Sequence, residues 1–167
     1  MPTTAKERIL PSPAAAWGGR LARRERVGGW IARVPFSVHQ VLFRLAIAGV
    51  FLRAGSQKLR SWESTVALFA DEYKVPVLAP ALAAAMAATF EVTCSILLIA
   101  GLATRVATLP LLVQIFVIQT FVYPNAWPEH LVWSSILLVL LTRGGGAASL
   151  DHLIGRWWEG RRADSGR

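Results

Sequence analysis

Cysteine occurs once in 167 residues, at Cys94, which excludes an intrachain disulfide framework and any cysteine-based zinc site, since both need several thiolates. Acidic residues are also scarce, 10 against 18 Lys and Arg, giving a formal charge of +8. That sign would suit a nucleic-acid binder. The mean hydropathy of +0.44 and the gathering of apolar residues into long runs argue instead that the basic surplus faces a lipid bilayer, with no nucleic acid as partner. Hydrophobic residues make up 54% of the chain. Counted with Gly and without Tyr the share is about 60%, against roughly 45–50% in soluble domains.

Charge is nearly absent from two stretches. Between Pro76 and Thr104 only Glu91 is charged, and between Val106 and Pro128 nothing is, so each exceeds the ~20 apolar residues that cross a bilayer core. A third span covers Phe36 to about residue 56, although Arg44 and Arg53 each carry a translocon penalty of roughly 2.5–3.5 kcal/mol if central. A fourth, about Trp127 to Arg143, has its strongest apolar run in only LVWSSILLVLL. Loop charge supports it. With four spans (about 36–56, 78–101, 104–123 and 127–143) and a cytoplasmic N-terminus, thirteen of the Lys and Arg fall inside and four outside, with Arg44 within the first span. The expected architecture is an all-α integral membrane four-helix bundle, N-in/C-in.

Residues 1–35 hold Pro2, Pro11 and Pro13 and no apolar run long enough for a signal-peptide core; they read as a disordered basic cytosolic tail. Arg23-Arg24 is followed by Glu25 and Arg26 where twin-arginine export wants an apolar residue, so the first span reads as an uncleaved anchor. Residues 61–74 place Val66, Phe69 and Tyr73 at helical spacing, an amphipathic segment on the outer surface. In the second cytosolic tail, 144–167, Ser149 can cap a short interfacial helix over 150–159 carrying Leu150, Leu153, Ile154, Trp157 and Trp158. Gly144-Gly145-Gly146 lacks the strand and helix of a phosphate cradle and reads as a flexible break.

At ~1.5 Å per residue from the cytosolic ends, Arg44 lies about 10–12 Å deep, Glu91 and Gln114 about 15 Å, and Ser134 and Ser135 about 10–12 Å. Every span thus contributes to a polar layer, in which Arg44 and Glu91 are the expected partners because an ionisable group in hydrocarbon must face the interior and pair. The layer is either the floor of a small-molecule, quinone or proton site, or a buried ion pair that fixes helix register. Serines in spans often bond back to their own helix. Cys94, one turn from Glu91, reads as a small packing residue. Lys58 falls within about 40° of Arg44 around the first helix, at ~100° per residue, so one stripe runs between them.

His39 and His130 sit at opposite ends of a ~30 Å core and His152 follows the last span, which argues against a shared haem iron or another metal set. The outer connection FVYPNAWPEHLVW gathers Tyr123, Trp127, Glu129 and His130. It reads as a headgroup-level aromatic belt, or as a recognition surface where His130 and Glu129 titrate or bind a cation.

RLAIAGVFLRAGSQKL (Arg44 to Leu59), LLIAGLATR (Leu97 to Arg105) and the ending TRGGGAASLDHL, in that order and spacing, resemble the DoxX family of small four-helix bacterial membrane proteins over about residues 38 to 154. The chain departs from the family pattern at GGGAASLD, where members often have Gly-Pro-Gly before Ser-Leu-Asp. Gly49, Gly55, Lys58, Arg105 and Asp151 match pattern positions, as do Arg44 and Glu91; the family has no agreed catalytic residues to carry over. The resemblance implies a multi-pass protein of the bacterial inner membrane. It further implies a membrane subunit similar to part of a thiosulfate:quinone oxidoreductase, or a partner of thiol or oxidative-stress enzymes. A subset with a similar YPNAWPEH loop accompanies biosynthesis of metal-binding peptides, which implies copper handling.

Two functions follow as expectations. One is an accessory, non-catalytic subunit of a quinone- or thiol-linked redox system, exchanging electrons or protons with quinone beside a protein partner that carries the redox centre, since this chain supplies no cofactor ligand set. The other is a non-enzymatic escort, transporter or scaffold, in stress or metal response, whose partner is a processed peptide.

Overall fold

A computed structural model describes residues 34–165, with side chains to residue 162. The basic tail expected over 1–35 lies outside the described residues up to residue 33, and nothing below concerns it. Among the described residues there is no strand. The order is α1 (Phe36–Arg60), α2 (Trp62–Leu68) running into a π-helical turn (Phe69–Tyr73), α3 (Pro80–Ala100), α4 (Thr104–Val117) with a second π-helical turn (Ile118–Val122), a 3-10 turn (Pro124–Ala126), α5 (Trp127–Arg143) and α6 (Leu150–Ser165).

α1 packs most extensively on α3; α3 also packs on α4, α4 on α5, and α5 returns to α1, closing a helical bundle. Its core is Ile47, Phe51, Leu98, Leu111, Ile115, Leu137 and Leu140, with Ala48, Ala107 and Cys94 filling narrow gaps. Cys94 is thus a packing residue by position. The outward faces are apolar too: Leu42, Leu82, Ile96, Val113, Phe116, Leu131 and Leu138 are all exposed. A surface apolar on every side loses free energy in water and gains none by turning inward, so it requires lipid around it.

Among the described residues three helices are long and apolar enough to cross a membrane: Phe36–Arg60, Pro80–Ala100 and Thr104–Val122. α5 has 17 residues, about 25 Å at ~1.5 Å each, and packs beside them as the fourth wall. α1 runs to Arg60, four residues past the expected end, and its last turn carries Lys58 and Arg60 where cations offset the carbonyl dipoles.

The ends of these helices are set by local chemistry. α3 begins with Pro80 in its first turn and stops at Gly101 (φ +68°), where the Leu102 N–H bonds the Leu97 carbonyl (2.9 Å) and the Gly101 N–H bonds that of Leu98 (3.1 Å), a Schellman closure. The orphan N–H groups opening α4 are met from far along the chain: the Asp151 carboxylate accepts from Ala103 N (2.7 Å) and Thr104 N (3.0 Å). Ser149 caps α6, its Oγ accepting from the His152 N–H (3.2 Å), and α6 continues past the expected residue 159 to Ser165. Its Leu153, Ile154, Trp157 and Trp158 are exposed.

The amphipathic segment after α1 is helical, but its apolar face meets protein. Phe69 is buried with Ala83 and Ala84 of α3, and Val66 and Tyr73 pack around them. The Thr65 hydroxyl donates to the Ser61 and Lys58 carbonyls (3.0 and 3.1 Å), fixing the corner between α1 and α2.

Candidate functional site

The expected Arg44–Glu91 pair does not form. Arg44 instead donates to backbone carbonyls: Nε to Leu98 (2.9 Å), Nη1 to Gly145 (2.8 Å) and Ala148 (2.9 Å), and Nη2 to Ile99 (3.1 Å). The first and last of these are end carbonyls of α3; that of Leu98 also accepts the capping Gly101 N–H (3.1 Å). A planar guanidinium with five N–H donors can satisfy four acceptors in different directions, which an ammonium with three donors cannot. Gln40, one turn earlier on α1, donates to the Gly144 and Arg143 carbonyls (2.9 and 3.3 Å). Gly144–Gly146 is therefore no flexible break: it is a clasped turn with Gly144 and Gly146 at positive φ and Gly145 so enclosed that a Cβ would lie 2.6 Å from Thr104 Oγ1. Gln40 was legible only as a polar residue four before Arg44, on the same helix face.

Glu91 is 2% exposed and pairs with Lys58, whose Nζ lies 2.8 Å from both carboxylate oxygens. Gln114 of α4 donates its Nε2 to Glu91 Oε1, while Gln114 Oε1 has no partner among the described residues. Helices α1, α3 and α4 thus meet at a carboxylate. Gly55 makes the meeting feasible, since a Cβ there would lie 2.8 Å from Glu91 Cβ and 2.9 Å from Val92 Cγ2. Lys58 reaches inward along the stripe shared with Arg44, its long stem carrying the ammonium to Glu91, and the side chain as a whole is 18% exposed.

Beside this triad lies a cavity of about 460 Å³ between α3, α4 and the chain following α2. Lys58 and Gln114 supply polar atoms to its wall; Met86, Phe90, Leu109, Pro110 and Val113 supply much of the rest. Met86, Phe90, Leu109 and Val113 are exposed on the flank of the bundle, so the cavity opens toward lipid. Tyr73 and Tyr123 close its far end: Tyr123 Oη donates to Glu72 (2.8 Å) and lies 3.5 Å from Tyr73 Oη. The Tyr73 hydrogen bond, then burial and the Glu72 carboxylate, hold the Tyr123 phenol above the usual tyrosine range.

Other polar residues do not join one layer. Ser135 is exposed and donates to the Leu131 carbonyl of its own helix (2.7 Å). Ser134 lines a second cleft, about 450 Å³, between α4 and α5 with Gln119, Trp127 and His130. His130 is 5% exposed, its Nδ1 2.6 Å from Gln119 Oε1 and its ring 5.6 Å from that of Trp133, so it turns into the bundle while Glu129 and Trp127 stay exposed. The expected outward His130–Glu129 pair is thereby split, because His130 falls on the apolar face of α5. Gln119, which no sequence signal had marked beyond a polar residue in an apolar run, is its partner. Among the described residues no three of His, Cys, Asp and Glu converge to hold a metal ion. Gly49 faces outward with open space where a Cβ would be; Arg105 is exposed and donates to the Thr142 carbonyl (3.3 Å).

An apolar exterior, three membrane-length helices and a cavity open on the lipid-facing flank define a multi-pass helical membrane protein. The family model described as DoxX matches residues 39–124, half of the chain, and the protein belongs to the DoxX family. The match takes in α1 to α4, including Lys58, Glu91 and Gln114, and ends before α5. No curated protein and no solved structure matches the chain.

Proposed function

We propose that the protein is a four-span subunit of the bacterial inner membrane, both termini cytoplasmic, that takes a quinone from the bilayer into the cavity between α3 and α4. It serves a redox system whose electron-carrying centre resides on a protein partner. The observation that carries this reading is the Lys58–Glu91–Gln114 triad beside an apolar cavity that opens sideways to lipid. A volume of about 460 Å³ with a few convergent polar groups is the usual form of a small-molecule site. Its residues suit a quinone head: Lys58 can donate to a carbonyl oxygen, and Gln114 Oε1, partnerless among the described residues, is an acceptor for a hydroxyl. Reduction of a quinone to the quinol consumes two electrons from the partner's centre and two protons. Glu91 and Lys58 hold an exchangeable proton between them next to the ring.

The test is quinone binding by the detergent-purified protein, read as quenching of its seven tryptophans by a short-tailed quinone. Wild type is expected to bind, Glu91→Gln to bind at least about tenfold more weakly through loss of a charge-assisted network, and Ala87→Phe, which fills the cavity, not to bind. Equal quenching in all three, or none in wild type, overturns the reading and favours an escort or scaffold role. Copper handling is supported less, since His130 is engaged with Gln119 inside the bundle.

A further inference from the structure

At the end of the bundle remote from Lys58, where α1 and α4 begin and α5 ends, lies a larger cavity of about 690 Å³. Two guanidinium groups flank it. Arg105 stands in the first turn of α4 and Arg143 in the last turn of α5, next to the clasped Gly144–Gly146 turn; a Cβ on Gly144 would lie 3.6 Å from Arg105 Nε. Both are exposed. Arg105 gives one of its N–H donors to the Thr142 carbonyl, and the Arg143 side chain makes no hydrogen bond or ion pair among the described residues. The carboxylate in the lining, Asp151, is already committed, both oxygens accepting the N–H groups that open α4. The remaining wall is apolar where it meets the flank: Phe36 and Val106 are 51% and 66% exposed.

We propose that this cavity binds the headgroup of an anionic phospholipid, its phosphate held by Arg105 and Arg143 and its acyl chains laid along Phe36 and Val106. Guanidinium forks match phosphate oxygens in bidentate fashion, and basic pockets between spans at a membrane surface are built for such headgroups. The ends of three long helices meet here, so the site lies at a bilayer surface in whichever leaflet the protein is oriented. A free phosphate would use the arginines and leave the apolar flank without a role; a zwitterionic lipid would bring its amine against two cations. α6, starting at the same turn with Trp157 and Trp158 exposed and Arg161 stacked 3.9 Å over Trp157, rests its apolar face on the same surface. The site is separate from the quinone cavity, so either can fail without the other.

The experiment is thermal unfolding of the delipidated protein in a neutral maltoside detergent, titrated with dioleoylphosphatidylglycerol, dioleoylphosphatidylcholine or sodium phosphate. Phosphatidylglycerol is expected to raise Tm saturably, and the other two to leave it unchanged. The apparent affinity should fall about tenfold or more in R105Q/R143Q, as loss of hydrogen bonds to a charged group implies, and remain in R156Q/R161Q. Arg143→Gln alone, which removes no bond within the described residues, should lower it too and guards against misfolding of the double variant. Equal stabilisation by phosphatidylcholine, a phosphate response that matches the lipid, or wild-type affinity in both R105Q/R143Q and Arg143→Gln would each overturn the proposal.

Discussion

Arg44 and Glu91 are both buried ionisable residues on adjacent helices, and they are held in opposite ways. Arg44 spends its donors on four backbone carbonyls from the end of α3 and the turn before α6. Glu91 is held by two side chains, Lys58 and Gln114, at the edge of a cavity. Backbone acceptors cannot move without moving the helices, so the first arrangement is a joint. Side-chain partners can rotate, trade protons and admit a ligand, which is why the second is the site for which a function is proposed. Charge in a membrane segment is thus accommodated in two ways in one bundle, distinguished by what the charge touches.

The largest effect expected is on the joint. Arg44→Ala leaves the Ile99, Gly145 and Ala148 carbonyls without this donor, while that of Leu98 keeps the Gly101 N–H; at ~1–3 kcal/mol for each buried unpaired group, a loss of at least about 3 kcal/mol is expected, read by unfolding in detergent. Arg44→Lys should rescue little, because three donors on a point charge cannot span four acceptors; recovery of wild-type stability would mean that charge, and not geometry, is what the joint needs. The carboxylate comes next. Glu91→Leu should cost about 2–3 kcal/mol, below the ~3–5 of a fully buried pair because the Lys58 side chain is 18% exposed, and Lys58→Met should restore most of it. Combining Glu91→Leu with Arg44→Ala should instead be additive within ~0.5 kcal/mol, as for sites that share no partner. Strong coupling there would erase the distinction between the two regions.

Glycine substitutions sharpen it at finer scale. Gly55→Ala and Gly145→Ala each force a Cβ inside 3 Å of a neighbour, one beside Glu91 and the other beside the Arg44 turn, and should cost ~1–3 kcal/mol. Gly49→Ala meets open space on α1 and should be neutral or stabilising by about 0.5–1 kcal/mol, so a loss comparable to Gly55→Ala would show a partner on that face. The smallest effect belongs to Tyr123 at the cavity's far end. Its phenol is raised, so the neutral form is favoured by the fold: that contribution is fully present below the ordinary tyrosine range near 10 and is lost as pH rises through the folded value. With two tyrosines in the chain, absorbance near 295 nm follows the titration directly, and Glu72→Gln together with Tyr73→Phe should bring Tyr123 back toward its ordinary range. No movement would mean that those neighbours do not set it.

Much of the fold was legible because it is written locally. Long uncharged runs mark α3 and α4, Ser149 marks the start of α6, and the spacing of Val66, Phe69 and Tyr73 marks the helical segment after α1, whose apolar face proved to cover Ala83 and Ala84. The candidate residues Arg44, Lys58, Glu91 and Gln114 were also visible, as polar groups in apolar surroundings. Their partners were not. Depth counted along each helix brought Arg44 and Glu91 to one level, yet such counting knows neither tilt, nor rotation about the axis, nor the reach of long side chains.

Composition and periodicity alone therefore determined that this chain is helical, lives in lipid and buries charge among its spans, because hydrophobic transfer acts residue by residue. Which charge meets which acceptor was decided by tertiary structure. Gly55 lets α1 and α3 approach until Lys58 reaches Glu91, and the enclosed Gly145 turn brings carbonyls from beyond α5 to Arg44. Those contacts join residues 33 and 101 positions apart, a separation over which only the packing of whole helices sets distance.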